Sequence, residues 1–151
     1  MNRAFWSTAD FDEAEWMGKA AAFSEKVMDK LGLDSWDLSL CFCSNAYMAK
    51  LNREYRNKDG TTDVLSFTCG EWAEIENENR YIAGDVVLCP DAIFENAGIY
   101  GISMDEELER VIIHGILHLS GMDHGTNDAA EPMLAEQERL LKETIEDKIL
   151  L

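Results

Sequence analysis

The chain has 151 residues, 46% of them apolar, which fits one domain able to bury a real core. Its 13 basic residues stand against 30 acidic ones, and the formal net charge of -17 repels polyanions at long range, so a nucleic-acid function must rest on a local basic patch. No run of some 18 apolar residues suggests a membrane span, and Met1 to Asp12 lacks the basic-then-apolar pattern of a secretory signal, so a cytoplasmic protein with no membrane partner is expected.

In chain order, Arg3 to Ser7 reads as a short first strand. From Phe11 to Leu31, the apolar residues Trp16, Ala20, Phe23, Val27 and Leu31 recur at helical spacing as one core-facing stripe, and Gly32 ends the helix. Trp36, Leu38, Leu40 and Phe42 alternate with Asp37, Ser39, Cys41 and Cys43, the period of a strand covered on one face. Ser44 suits the N-cap of a second helix, with Tyr47, Leu51 and Tyr55 on one side. That helix ends in a basic patch, Lys50, Arg53, Arg56 and Lys58 against the single acid Glu54, which taken alone is an ordinary solvated face. Asp63 to Cys69 reads as a buried strand, Gly70 to Arg80 as an exposed acidic loop, and Tyr81 to Cys89 as another strand. Gly84 and Asp85 within the latter indicate a bulge or a close backbone approach.

Pro90 and Asp91 open a helix reaching about Tyr100. Ser103 and Glu106 have the spacing of a capping box that starts the next helix. On it Leu108, Ile112, Gly115 and Leu119 form one stripe, and Glu107, Val111, His114 and His118 lie on the neighbouring face. A last helix, from about Asp128 into the 140s, has Leu134, Gln137, Leu141 and Ile145 as its apolar-leaning stripe, with Met133 and Leu140 beside it. The cysteines Cys41, Cys43, Cys69 and Cys89 include no C-x-x-C pair and receive no function.

The chemistry concentrates in one place. All three histidines, His114, His118 and His124, fall in a single eleven-residue run. Two histidines four apart on a helix project from one face and can reach a common point. Gly121 can end the helix in a left-handed turn and bring His124 back over the pair. Three nitrogen ligands leave one position open, the pattern of a catalytic rather than a structural zinc site. Imidazole also suits nickel, copper and iron. The spacing equals that of the metzincin peptidases, H-E-x-x-H-x-x-G-x-x-H, but their general-base glutamate is replaced by Gly115, which has no side chain to accept a proton.

The full pattern H-G-x-L-H-L-x-G-x-D-H resembles the YbeY family, bacterial metal-dependent endoribonucleases linked to small-subunit ribosomal RNA maturation and ribosome quality control. Residues 51 to 67, Leu51-Asn52-Arg53-Glu54-Tyr55-Arg56 through Thr62-Asp63-Val64-Leu65-Ser66-Phe67, resemble that family's other signature, and Gly84-Asp85-Val86-Val87-Leu88 resembles a third segment. Thr68 departs from it, standing where the family commonly has proline. The order of elements suggests an α+β fold with a mixed sheet of about four strands and helices on it, and the resemblance implies a single metal-dependent hydrolase domain over residues 1–151 with a zincin-like central helix bearing the first two histidines. The resemblance assigns His114, His118 and His124 to one divalent metal, for which three imidazoles make zinc the first choice, and Arg56 to catalysis or RNA binding; Arg53 and Lys58 of the basic patch are candidate substrate contacts. Metal-activated water would attack an RNA phosphodiester. Asp85 and Asp123 are candidate acceptors for imidazole N–H groups, and Thr62 and Ser66 candidate substrate contacts. Ribosomal RNA and the small ribosomal subunit are the implied partners. A metallopeptidase and a non-enzymatic ribosome assembly factor with a metal-stabilised fold are the competing readings.

Overall fold

The alternation from Trp36 to Phe42 builds the strand on which the rest of the sheet is assembled. In the computed structural model, which describes residues 1–150, four strands and five helices follow in the order β1 (Arg3–Ala9), α1 (Trp16–Lys30), β2 (Trp36–Cys43), α2 (Asn45–Arg56), β3 (Val64–Ile75), β4 (Glu78–Leu88), α3 (Pro90–Tyr100), α4 (Met104–Leu119) and α5 (Pro132–Glu143). The sheet order is β1-β2-β4-β3. β1 and β4 flank β2 in parallel, and β3 lies antiparallel to β4 at the edge, so the fold is α+β with a mixed four-stranded sheet.

The two sheet faces bury unequal cores. Leu38, Leu40, Phe42, Val86 and Leu88 meet Met17, Phe23 and Val27 of α1 and Ile112 and Ile116 of α4 in the main core. On the other face Cys43, Leu65, Val87 and Cys89 form a smaller cluster with Met48 of α2 and Ala92 of α3. Cys41 and Cys43 share that second face, as the period of two requires. All four cysteines are free thiols.

Several boundaries differ from the sequence reading, each for a local reason. The acidic stretch from Gly70 to Arg80 is not a loop but most of a hairpin, in which Glu71 to Ile75 pair with Glu78 to Ile82. Glu76 and Asn77, at φ 50° and 68°, make the two-residue turn that matches strand twist. This ribbon extends beyond the core, so its residues carry no buried apolar period, although Trp72 packs edge-on to Tyr81 at 5.2 Å. The first helix begins at Trp16 rather than Phe11. On α2 the buried residues are Met48 and Asn52, with Tyr55 64% exposed, because the Asn52 amide turns inward to donate to the Gly60 carbonyl at 3.0 Å. α5 begins at Pro132 and buries Met133, Gln137, Leu140 and Leu141, leaving Ile145 beyond its end and exposed. Ser103 Oγ accepts the Glu106 N–H at 3.0 Å as a cap should, while the Glu106 carboxylate reaches forward to Arg110 at 3.1 Å instead of back.

Gly84 is a close backbone approach, as its position in the strand suggested. At φ 139° it sits where a Cβ would fall 2.1 Å from the Phe67 carbonyl oxygen, beside the register shift between Thr68 and Glu71.

Candidate metal centre

The site is set by where α4 packs on the sheet, at a point with no room for a side chain. Where α4 crosses β4 it presents Gly115, and a Cβ there would meet Val86 Cγ1 at 2.7 Å and Ser66 Oγ at 3.4 Å. The adjacent His114 and, about a turn further on, His118 face a cleft between α4 and the edge strand β3. The helix stops at Ser120, Gly121 takes φ 100°, and the Met122 N–H returns to the Leu117 carbonyl at 3.1 Å. That reversal brings His124 over the first two rings, with ring centroids 4.7, 5.3 and 5.9 Å apart among the three.

A nitrogen from each ring lies within 4.8 Å of the other two, and among the described residues no cysteine or carboxylate joins the group. His114 Nε2 and His118 Nε2 are 3.1 Å apart. The edge of a tetrahedron with metal–nitrogen bonds of about 2.0–2.1 Å is roughly 3.3 Å, so the pair is already near ligating separation. The other nitrogen of each ring is held from behind. His114 Nδ1 donates to Gln137 Oε1 at 2.7 Å, and the Gln137 amide is itself oriented by donating to Glu138 at 3.1 Å. His124 Nδ1 donates to the Thr126 carbonyl at 2.9 Å, and the Met122 backbone takes the same part for His118. Such partners fix the tautomer and leave Nε2 free for a ligand. Burial holds the pKa values of His114 and His118 below the ordinary 6.5, which keeps the rings in the neutral form that metals bind. The donor set therefore fits a divalent ion of the imidazole-binding class.

The cleft in front of the rings has a volume of about 630 Å³. Tyr55 and Arg56 of α2, Thr62, Asp63, Ser66 and Asp123 line it with the three histidines. Asn57, in the left-handed conformation at φ 53°, caps α2 and leaves Arg56 on its last turn. Arg53 and Lys58 do not line the cleft; Arg53 is at the surface, paired with Asp59 at 3.2 Å.

Two expectations need correction. Asp85 is exposed and alternates with Val86, so it lies on the sheet face away from α4 and holds no imidazole. Asp123 does line the cleft, but its Oδ1 accepts the backbone N–H of His124 at 2.8 Å, so this carboxylate shapes the turn. The ring-holding groups are Gln137 and two backbone carbonyls. Gln137 stands in the apolar-leaning stripe of the last helix, where a lone amide on an otherwise leucine-rich buried face is the signal the sequence carries. Asp63, read only as the start of a strand, faces the cleft close enough for its charge to act on His114.

Comparison with known proteins agrees with this geometry. The chain matches the family described as Endoribonuclease YbeY over residues 4–145. It is 46% identical over 120 residues to an Endoribonuclease YbeY of Treponema denticola, covering 79% of this chain and 77% of the relative. The match to the Treponema pallidum protein of that name is 39% over 142 residues, covering 93% and 89%. The solution structure of TM1509 from Thermotoga maritima superposes with a TM-score of 0.64 at 27% identity, covering 97% of this chain and 91% of that one. With a family match over nearly its whole length and these identities, the chain belongs to the Endoribonuclease YbeY family.

Proposed function

We propose that this protein is a divalent-metal-dependent endoribonuclease that acts in ribosomal RNA maturation, with His114, His118 and His124 as the metal ligands and zinc as the first candidate ion. The observation that carries the reading is the convergence of three imidazoles, each held from behind, at one wall of a cleft that Arg56 also lines. When bound, a divalent ion supplies Lewis-acid polarisation of a phosphate oxygen and a lower pKa for water. The residues of the chain then position the substrate. Arg56 can grip a phosphate through two parallel N–H bonds and offset charge gathering on its oxygens, which a lysine cannot do in the same geometry. The Ser66 and Thr62 hydroxyls line the same cleft and can hydrogen-bond the sugar-phosphate backbone. Gln137 keeps His114 in the tautomer that leaves Nε2 free.

The peptidase reading is disfavoured by packing as well as by residue type. With a Cβ at position 115 only 2.7 Å from Val86, a glutamate there would push α4 off the sheet. We also infer that the protein works in the cytoplasm on the small ribosomal subunit, where its RNA substrate is found; no helix among the described residues is long and apolar enough to cross a membrane.

The test assays a ribosomal RNA fragment and casein side by side with wild type, His118→Ala and Arg56→Glu, with and without chelator. The expected result is chelator-sensitive RNA cleavage by the wild type only, with casein intact. Equal cleavage by all three proteins would mark a contaminating nuclease. Chelator-induced loss of thermal stability without any RNA cleavage would favour the assembly-factor reading instead.

A further inference from the structure

Behind the histidines the cleft continues into a second lobe of about 500 Å³ that shares Asp63, Val64, His114 and His124 with the first. Its character is different. Its walls mix aliphatic side chains, Val64, Ile102, Val111 and Leu134, with polar ones that include the Asn127 amide, and Tyr100 stands at the rim, 63% exposed. Its only cation is already committed. Arg110 donates to Glu106, Glu107 and Glu138 at 3.0–3.1 Å, so one guanidinium faces three carboxylates and the group is net acidic. With Asp63 also in the wall, the lobe repels phosphate.

We infer that this second lobe is a nucleobase subsite, holding a base of the RNA strand next to the phosphate at the histidines, with Tyr100 as its stacking surface. This rests on the nuclease reading given above. A base is flat, largely apolar on its faces and uncharged, and every base carries at least one N–H that a carboxylate or amide oxygen can accept. Such an occupant suits a lobe with a tyrosine, aliphatic walls and acceptor oxygens but no free cation. The division of labour follows from the walls: the lobe with Arg56 takes the anionic backbone, and the lobe with Tyr100 takes the base. Because the two lobes meet at His114 and His124, one nucleotide unit spans them.

Two measurements test the subsite. In the first, chelator-treated protein is titrated with adenosine, uridine and, separately, inorganic phosphate, and the NMR signals of Ile102, Val111 and Leu134 are followed. Both nucleosides are expected to shift these signals and phosphate to leave them unmoved; no nucleoside response, or an equal response to phosphate, overturns the subsite. In the second, the metal-loaded enzyme cleaves an unstructured RNA octamer. Tyr100→Ala is expected to raise KM by about 5- to 150-fold, the range of one base–aromatic stack, with the loss falling on KM rather than kcat. Tyr100→Phe, which keeps the ring, is expected to recover the lost binding. Tyr100 is exposed, so neither change threatens the core. An unchanged KM in Tyr100→Ala overturns the subsite while wild-type cleavage still supports the nuclease reading. If the wild type does not cleave RNA, that reading fails, and the nucleoside titration decides the lobe by itself.

Discussion

The first two turns of α4 bury three carboxylates and its last two turns present two imidazoles, and the contrast lies in what each polar group has left to offer. At the N-terminal end nearly every group is consumed. Asp105 accepts the backbone N–H groups of Ile149 at 2.8 Å and Leu150 at 3.2 Å, tying down the C-terminal segment, and Glu107 pairs with Arg110 at 3.1 Å. At the C-terminal end His114 is satisfied on Nδ1 only, and its Nε2 is directed at the neighbouring ring and the cleft. Groups paired on all sides are scaffold, whereas groups anchored on one side with the other left free are the ones available to a ligand. Glu109 is the exception that exposes the cost of the rule. It is 1% exposed, its Oε1 has no partner, and burial together with the neighbouring Asp105 pushes its pKa up to about 7.

The contrast can be broken most severely at the histidine end. His118→Ala should lose stoichiometric metal and reduce RNA cleavage to background while the circular dichroism spectrum is kept, and full activity in a metal-depleted variant would end the distinction. Next in size, Arg56→Ala should lower kcat on RNA by about 10²–10³-fold, the loss seen when one donor to a developing oxyanion is removed, with Arg56→Lys recovering only part of it. Gln137→Leu keeps the volume but removes the acceptor behind His114. It should weaken metal binding by roughly 10- to 100-fold in competition with a chromophoric chelator.

The scaffold end predicts a smaller, pH-dependent effect. Because the folded pKa of Glu109 lies above its ordinary 4.5, its contribution is full below pH 4.5 and is lost as the pH rises through about 7. Wild type should therefore lose on the order of 2–3 kcal/mol between pH 5 and pH 8 from this group, several degrees in Tm, and Glu109→Gln should flatten that loss. Identical pH–Tm curves for the two proteins would show that Glu109 is solvated in the native state. Lys148 offsets part of the charge, and Asp105, Glu106 and Asp147 add to it.

The same contrast explains what the sequence could and could not reveal. The α+β order, the mixed sheet and the three histidines were readable because each depends on a short-range pattern: the period of two in Trp36 to Phe42, the helical stripe of α4, and the four-residue step from His114 to His118. The hairpin from Gly70 to Arg80 was missed because neither of its arms covers a core, so pairing rather than burial defines it. The groups behind the rings were missed for a related reason. Gln137 is 23 residues from His114, and the partners of His118 and His124 are backbone atoms, which no side-chain pattern can announce. Asp85, a candidate acceptor in the sequence, alternates with the inward Val86, and that alternation across the sheet turns it to the opposite face.

The most direct test of the central claim is X-ray absorption at the zinc edge on protein loaded with one equivalent of zinc. The expected spectrum shows three imidazole nitrogens around the zinc at about 2.0–2.1 Å and no sulfur, a pattern that collapses in His118→Ala. A fourth protein ligand, or fewer than three imidazoles around the ion, would contradict it.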